Sequence, residues 1–249
     1  QDAVEYYLMG NYPNIAKAYI IRRKERAKIR DFKYNKTYYN TVLGLLNGET
    51  NDVSKENANK DPKQFFTMRD LVAGETCKKI YKDFIMDSKL LELHNKGIIH
   101  VHDTDYRAMK GMTNCCLINL KDMLINGTCV QGKRIHDIHS LIVASNITTQ
   151  IIAAVGSSQY GGITIDISHL SPFIERSKIK YRDIFKELDG PIQEKYVNTF
   201  IKKEIVDSIQ LIQYQLNTLT TTNGQSPFIT IACNTNGQND EYPEYTAML

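Results

Sequence analysis

The sequence predicts an α/β protein organised on a parallel sheet. Three observations carry that reading. Short strand-like runs alternate with long helical patterns along the chain. Ile163-Thr164-Ile165-Asp166-Ile167 alternates apolar and polar residues with the period of a strand. Asp137 to Val155 is a strongly apolar helical stretch ending in a glycine-bearing polar turn. In such folds the polar corners between strands and helices are where ligands sit.

The elements follow in order. Val4, Tyr7 and Leu8 recur at helical spacing, and Gly10-Asn11-Tyr12-Pro13 breaks the run. Ile15 to Arg30 resumes it and carries Arg22, Arg23, Lys24, Arg26, Lys28 and Arg30, a basic end favourable to a helix dipole. Residues 47–62 are polar and Asn-rich and read as a connector. Residues 63–95 read as helices with a break at Gly74, stopped by Gly97. Ile98 to Asp103 and Asn114 to Asn119 are strand-like. Leu120 to Leu124 gives one or two helical turns ended by Asn126-Gly127. After the strand at residues 163–167, helices are expected over about 168–189 and 192–220, and Pro227 to Ala232 is the last strand.

Composition bounds the function. Among 249 residues, 42% are hydrophobic and 24% charged, which excludes a mainly disordered chain or a fibrous repeat. The net charge of +3 gives no indication of a nucleic-acid binder. No apolar run approaches the ~18–20 residues of a membrane span, so neither nucleic acid nor membrane is expected as a partner. Cys77, Cys115, Cys116, Cys129 and Cys233 are odd in number and contain no CxxC pair, so a reducing cytoplasm is expected. The first residue is Gln1 with no signal-peptide pattern after it, and the expectation is a start inside a longer chain.

Several residues could carry chemistry. His100 and His102 share a face on a regular strand, with Asp103 and Asp105 after them; such a run suits either a metal or hydrogen bonding in a polar pocket. Cys115 and Cys116 are successive, so on a strand one thiol can face a pocket while the other packs away. Cys77 and Cys233 read as core residues and Cys129 as part of a turn. The turns at Ser157-Ser158-Gln159-Tyr160-Gly161-Gly162 and Thr222-Asn223-Gly224-Gln225-Ser226-Pro227 could cradle phosphate, although neither is a Walker loop or a dinucleotide fingerprint.

Five segments in order carry a family resemblance: SKENANKD at Ser54–Asp61, GIIHVHDTDY at Gly97–Tyr106, NCCLINLKDMLINGT at Asn114–Thr128, TTQIIAAVGSSQYGG at Thr148–Gly162 and LNTLTTTNGQSPFITI at Leu216–Ile231. Together they resemble the anaerobic (class III) ribonucleoside-triphosphate reductases. Residues 1–30 resemble the closing helices of an ATP-cone, the family's regulatory nucleotide module, and residues 31–249 the first part of the catalytic domain. The resemblance implies the first half of a ten-stranded α/β barrel of the glycyl-radical enzyme type, usually in a homodimer. It implies ribonucleoside triphosphates as substrates, ATP and deoxynucleotides as effectors, and an S-adenosylmethionine iron–sulfur activase that makes the glycyl radical. Cys115 matches the family's cysteine that works opposite the thiyl radical, and His100 its neighbouring histidine. Asn114, Ser157, Ser158 and Gln159 are the substrate-binding candidates, and no residue is assigned to a metal. Lys121 to Arg134 and the helix from Asp137 are candidates for the effector and dimer region. The finger-loop cysteine, the radical glycine and a structural zinc site are expected beyond Leu249, which would leave this stretch inactive alone.

Two alternatives stand beside that reading. One is a nucleotide-responsive dimerisation module without catalysis. The other is a glycyl-radical enzyme of the formate-lyase type. NCCLINLKDML and SSQYGG favour the reductase over the latter, and the open strand edges of half a barrel disfavour the former.

Overall fold

The computed structural model describes residues 2–49, 61, 63–111, 115–158, 161–222, 224–233 and 242–249, with the side chains of 32–34 left aside. The chain divides into two compact units, residues 1–52 with 71–108 and residues 53–70 with 109–249.

The first unit is helical. Helix α1 spans Asp2–Asn11 and α2 spans Pro13–Leu46, divided where the sequence places Tyr12-Pro13. Arg23 of α2 holds Glu5 and, at 3.5 Å, Asp2, both from α1. Helix α2 is continuous across residues 30 and 31, where the resemblance places a domain boundary. Helix α3, Phe65–Ile80, runs straight through Gly74. The expected break there is corrected: one helical glycine costs only about 1 kcal/mol, and a Cβ at Gly74 would lie 3.5 Å from the side chain of Asp105. The interruption comes later, as a π-helical turn at Tyr81–Ile85 in which Met86 N–H reaches back to Tyr81 O at 2.7 Å. Asp87 then caps α4, Ser88–Asn95, by accepting from the N–H groups of Lys89 and Leu90 at 2.9 and 3.2 Å. Gly97 closes α4 at φ +70°, with Gly97 N–H on His94 O and Ile98 N–H on Leu93 O, both at 3.0 Å.

Ile98 to Asp103 forms no strand, contrary to the sequence expectation. Its backbone is spent on local turns instead. Val101 N–H donates to His94 Nδ1, and Asp103, at φ +53°, accepts from Tyr106 and Arg107 through its carbonyl.

The second unit contains the sheet. Strands β1 (Cys115–Leu117), β4 (Gly162–Asp166) and β5 (Phe228–Ala232) pair in parallel in the order β1-β4-β5. The link from β1 to β4 carries α5 (Leu120–Ile125), an antiparallel hairpin of β2 (Thr128–Val130) and β3 (Lys133–Ile135), and α6 (Leu141–Ser158). The link from β4 to β5 carries a 3-10 turn at Ile167–Leu170, α7 (Ser171–Ile184) and α8 (Gly190–Thr218). Helix α9, Pro243–Thr246, lies near the end of the chain and buries Tyr245. The α/β architecture with parallel strands is therefore as the alternation predicted.

The hairpin was not foreseen. Its two central residues, Gln131 at φ +50° and Gly132 at φ +76°, are both left-handed, the pattern that matches the twist of a two-residue hairpin. Cys129 lies on β2 and not in a turn; its thiol is exposed. Helix α6 begins at Leu141, four residues later than the apolar pattern suggested, because its cap comes from elsewhere in the unit. Ile142 N–H donates to Glu204 Oε1 at 3.1 Å, and Leu141 N–H donates to Ser177 Oγ, which in turn donates to the same Oε1 at 2.9 Å. Among the described residues α6 is the helix long and apolar enough to cross a membrane, and its Leu141, Ala144, Ile151 and Ile152 are packed into the core. Ile163, Ile165, Phe173 and Val197 complete the centre of that core.

Candidate active site

Strand alternation builds the site. In the parallel register Cys115 stands beside Gly162 and Phe228, Cys116 beside Ile163 and Ile229, and Leu117 beside Thr164 and Thr230. Neighbours in register share a face. Ile163 and Ile165 are buried, and Cys116 and Ile229 pack against the same core cluster. The other face is open. Cys115 is exposed, Leu117 is 82% exposed and Phe228 is 47% exposed. The two adjacent thiols thus face opposite ways, Cys116 into packing and Cys115 onto an uncovered surface. All five cysteines are free.

The end of the sheet that carries Cys115 is framed by the end of α6 and the turn before β5. Helix α6 finishes at Ser158, and Gly162, shortly after it, is the register partner of Cys115. The turn before β5 is anchored to the same helix end. Thr222 N–H donates to Ser157 Oγ at 3.3 Å, and a Cβ on Gly156 would come within 2.9 Å of Thr221 Cγ2. Gly224, at φ +76°, is seated still more closely: a Cβ there would lie 2.0 Å from Thr67 Oγ1 and 2.7 Å from the Phe66 ring. Phe228 enters the open face from this turn. Neither Phe228 nor the Gly224–Thr67 seat was singled out from the sequence, although alternation along β5 carried the signal for the first.

The predicted substrate contacts fare differently. Ser157 and Ser158 lie in the last turn of α6, where their hydroxyls donate to Ala153 O at 2.8 Å and Ala154 O at 3.0 Å. Each retains acceptor capacity, and Ser157 spends part of it on Thr222 N–H. Asn114 and Gln159 lie outside the described residues. His100 belongs to the first unit, where its ring stands 5.6 Å from that of His94 and 4.7 Å from that of His102. The other end of β4 holds a second polar group. Asp166 Oδ1 accepts from Ser168 N–H at 2.9 Å, and His169 follows with a buried Nδ1 that has no partner among the described residues. Burial holds the His169 imidazole below its ordinary value, opposed by Asp166 and assisted by Lys121.

An exposed thiol on the open face of a parallel sheet is open to radical or nucleophilic sulfur chemistry. The family model described as anaerobic ribonucleoside-triphosphate reductase matches residues 56–249. This chain belongs to that family. Its curated relatives agree. The anaerobic ribonucleoside-triphosphate reductases of Haemophilus influenzae and Escherichia coli are each 39% identical over 92% of the chain, and the match covers 33% and 32% of their lengths. The reductase of Enterobacteria phage T4 is 40% identical over 78% of the chain and 32% of its own length. The chain therefore spans about a third of the curated reductases it matches. The open face and both turns that frame it lie inside the segment matched to the reductase family.

Proposed function

We propose that this chain forms the hydrogen-donating part of an anaerobic ribonucleoside-triphosphate reductase, with Cys115 as the donor. The observation that carries the proposal is the orientation of Cys115, exposed at the start of β1 while Cys116 packs behind it. In the reaction the ribose loses its 3′ hydrogen and its 2′ hydroxyl, the latter as water. The Cys115 S–H then delivers a hydrogen atom to the 2′ carbon, and a two-electron reductant, formate or a thiol protein, together with return of the 3′ hydrogen, restores the Cys115 thiol and completes the deoxyribose. A thiol suits that step because its S–H bond is weak enough to yield hydrogen to a carbon radical. A glycyl radical elsewhere in the reductase would supply the initiating oxidation.

On this reading β1, β4 and β5 belong to a larger barrel whose interior is the open face. The family resemblance gives His100 the role of a hydrogen-bonding imidazole in the reductase. Ser157 and Ser158 offer their remaining lone pairs, with Asn114 and Gln159, to the nucleotide. The partners are a second copy of the chain and the radical-forming activase, with ATP and deoxynucleotides as effectors. The free cysteines support a reducing cytoplasm as the compartment.

The test is a pair of substitutions in the complete reductase. Cys115→Ser should retain the glycyl radical in electron paramagnetic resonance and lose deoxynucleotide formation, because the serine O–H bond is too strong to donate. Cys116→Ser should keep most of the turnover. Turnover surviving in Cys115→Ser, or an equal loss in both variants with folding intact, would overturn the assignment.

A further inference from the structure

Helix α6 is tied to α8 and the turn after it by side-chain hydrogen bonds at three levels, in the same order along both segments. Near the start of α6, Ile142 N–H donates to Glu204 Oε1 at 3.1 Å. Further along, Gln215 Nε2 donates to Asn146 Oδ1 at 3.1 Å, and Gln215 Oε1 accepts from the Thr149 hydroxyl. Past the end of α8, Thr222 N–H donates to Ser157 Oγ at 3.3 Å. The two helices therefore run in the same direction, as successive crossovers of a parallel sheet do.

The apolar part of this seam sets no register by itself. Ile151, Ile152, Ile205 and Ile212 are buried in the common core, and apolar burial is non-directional. The amide of Gln215 is directional, since it donates to one residue of α6 and accepts from another a turn away. Thr149 is fully buried and Gln215 half-buried, so water replaces these bonds poorly if the helices slip.

The register of α6 and α8 bears on the face that carries Cys115. Helix α6 leads to Gly162, which stands in register with both Cys115 and Phe228. Helix α8 ends at Thr218, one turn past Gln215, and leads through Thr221 and Thr222 to Phe228. The junction has no slack, because Thr221 Cγ2 would lie 2.9 Å from a Cβ on Gly156. A shift of α8 along α6 is passed to the turn before β5 and is not absorbed there.

We infer that Gln215 is a positioning residue for the Cys115 face, holding the turn before β5, and with it Phe228, in place against β4. Its effect on turnover rests on the reading of that face as the reductase site. The geometric effect on Phe228 does not.

Gln215→Leu tests both. The change keeps side-chain bulk, Thr149 retains Asn146 O at 2.8 Å as an acceptor, and half-buried Asn146 can turn to water. The melting temperature of the 249-residue chain should therefore move by no more than about 3 °C. With para-fluorophenylalanine at position 228 of that chain, the fluorine resonance should move in Gln215→Leu and stay in place in Gln213→Leu, on the exposed side of α8. In the complete reductase, Gln215→Leu should lower kcat by about tenfold or more, with KM within about twofold and the glycyl radical retained. Should Gln215→Leu fail to fold, Asn146→Ala removes the acceptor from the α6 side and carries the same expectations. An unmoved fluorine resonance, an equal movement in Gln213→Leu, or a fall in kcat only in step with lost thermal stability would overturn the inference. Turnover surviving in Cys115→Ser would overturn the donor assignment instead, and the fluorine resonance would still decide the role of Gln215.

Discussion

The two faces of the β1-β4-β5 sheet differ more than their sequences suggest. One face sets Cys116, Ile163, Ile165 and Ile229 against the helices. The other presents Cys115, Leu117, Thr164, Phe228 and Thr230 without cover in this unit. Both are read from the same three strands, and both carry large apolar side chains. The covered face gains stability from burial. The open face leaves its apolar groups and its thiol exposed. Cys115 and Cys116, adjacent in the chain, therefore answer to different physics.

The comparison breaks most visibly at the covered face. Ile163→Ala should destabilise the chain by about 2–5 kcal/mol in denaturant unfolding, from lost transfer energy and a cavity, because Ile163 is 1% exposed. Leu117→Ala on the open face should stay within about 0.5 kcal/mol of the unaltered chain. Equal losses would mean that the two faces are covered alike. A slightly smaller effect is expected where the covered side caps α6. Glu204→Ala strips an acceptor from Ile142 N–H and Ser177 Oγ, and should cost about 2–4 kcal/mol. Amide exchange should then rise first at Leu141 and Ile142.

The cysteines sharpen the contrast at lower amplitude. Cys116→Ser should cost about 1 kcal/mol because it sets a hydroxyl against packed apolar groups, whereas Cys115→Ser should leave folding stability within about 0.5 kcal/mol. The smallest effect is a protonic one. His169 is held below its ordinary value in the folded chain, so the unfolded chain takes up the proton first. The stability that the neutral His169 contributes is full above about pH 6.5 and is lost as the pH falls through the lower folded value. His169→Gln should flatten that part of the stability profile below pH 6.5. Because the His94 imidazole is also depressed, the readout is the difference between the two profiles.

Much of this contrast was legible before the structure. Period-two alternation located β4 and β5, and the adjacent pair Cys115-Cys116 forced opposite orientations once a strand was assigned. What escaped was tertiary. Ile98 to Asp103 has strand composition, yet His94 and Asp103 draw its backbone into local bonds. Gly74 read as a break because the sequence does not show the Asp105 side chain beside it. The start of α6 at Leu141 depends on Glu204 and Ser177, both far along the chain and invisible to a local pattern. The Gly224 seat on Thr67 is hidden for the same reason. The family resemblance, by contrast, lay in the residues themselves and is matched over residues 56–249.

The parallel pairing also dictates an order of events during folding. Pairing Cys115 with Gly162 closes a loop that contains the hairpin and α6, and pairing Gly162 with Phe228 closes one that contains α7 and α8. Each strand pair must close a long loop before any ladder bond compensates for it. The helices can form locally, and α6 and α8 can register against each other through the Gln215 side-chain amide, which donates to Asn146 Oδ1 at 3.1 Å. Strand closure is therefore expected to lag behind helix formation. Until it occurs, the thiol of Cys115 belongs to a loose chain, and its separation from Cys116 by the sheet does not yet exist.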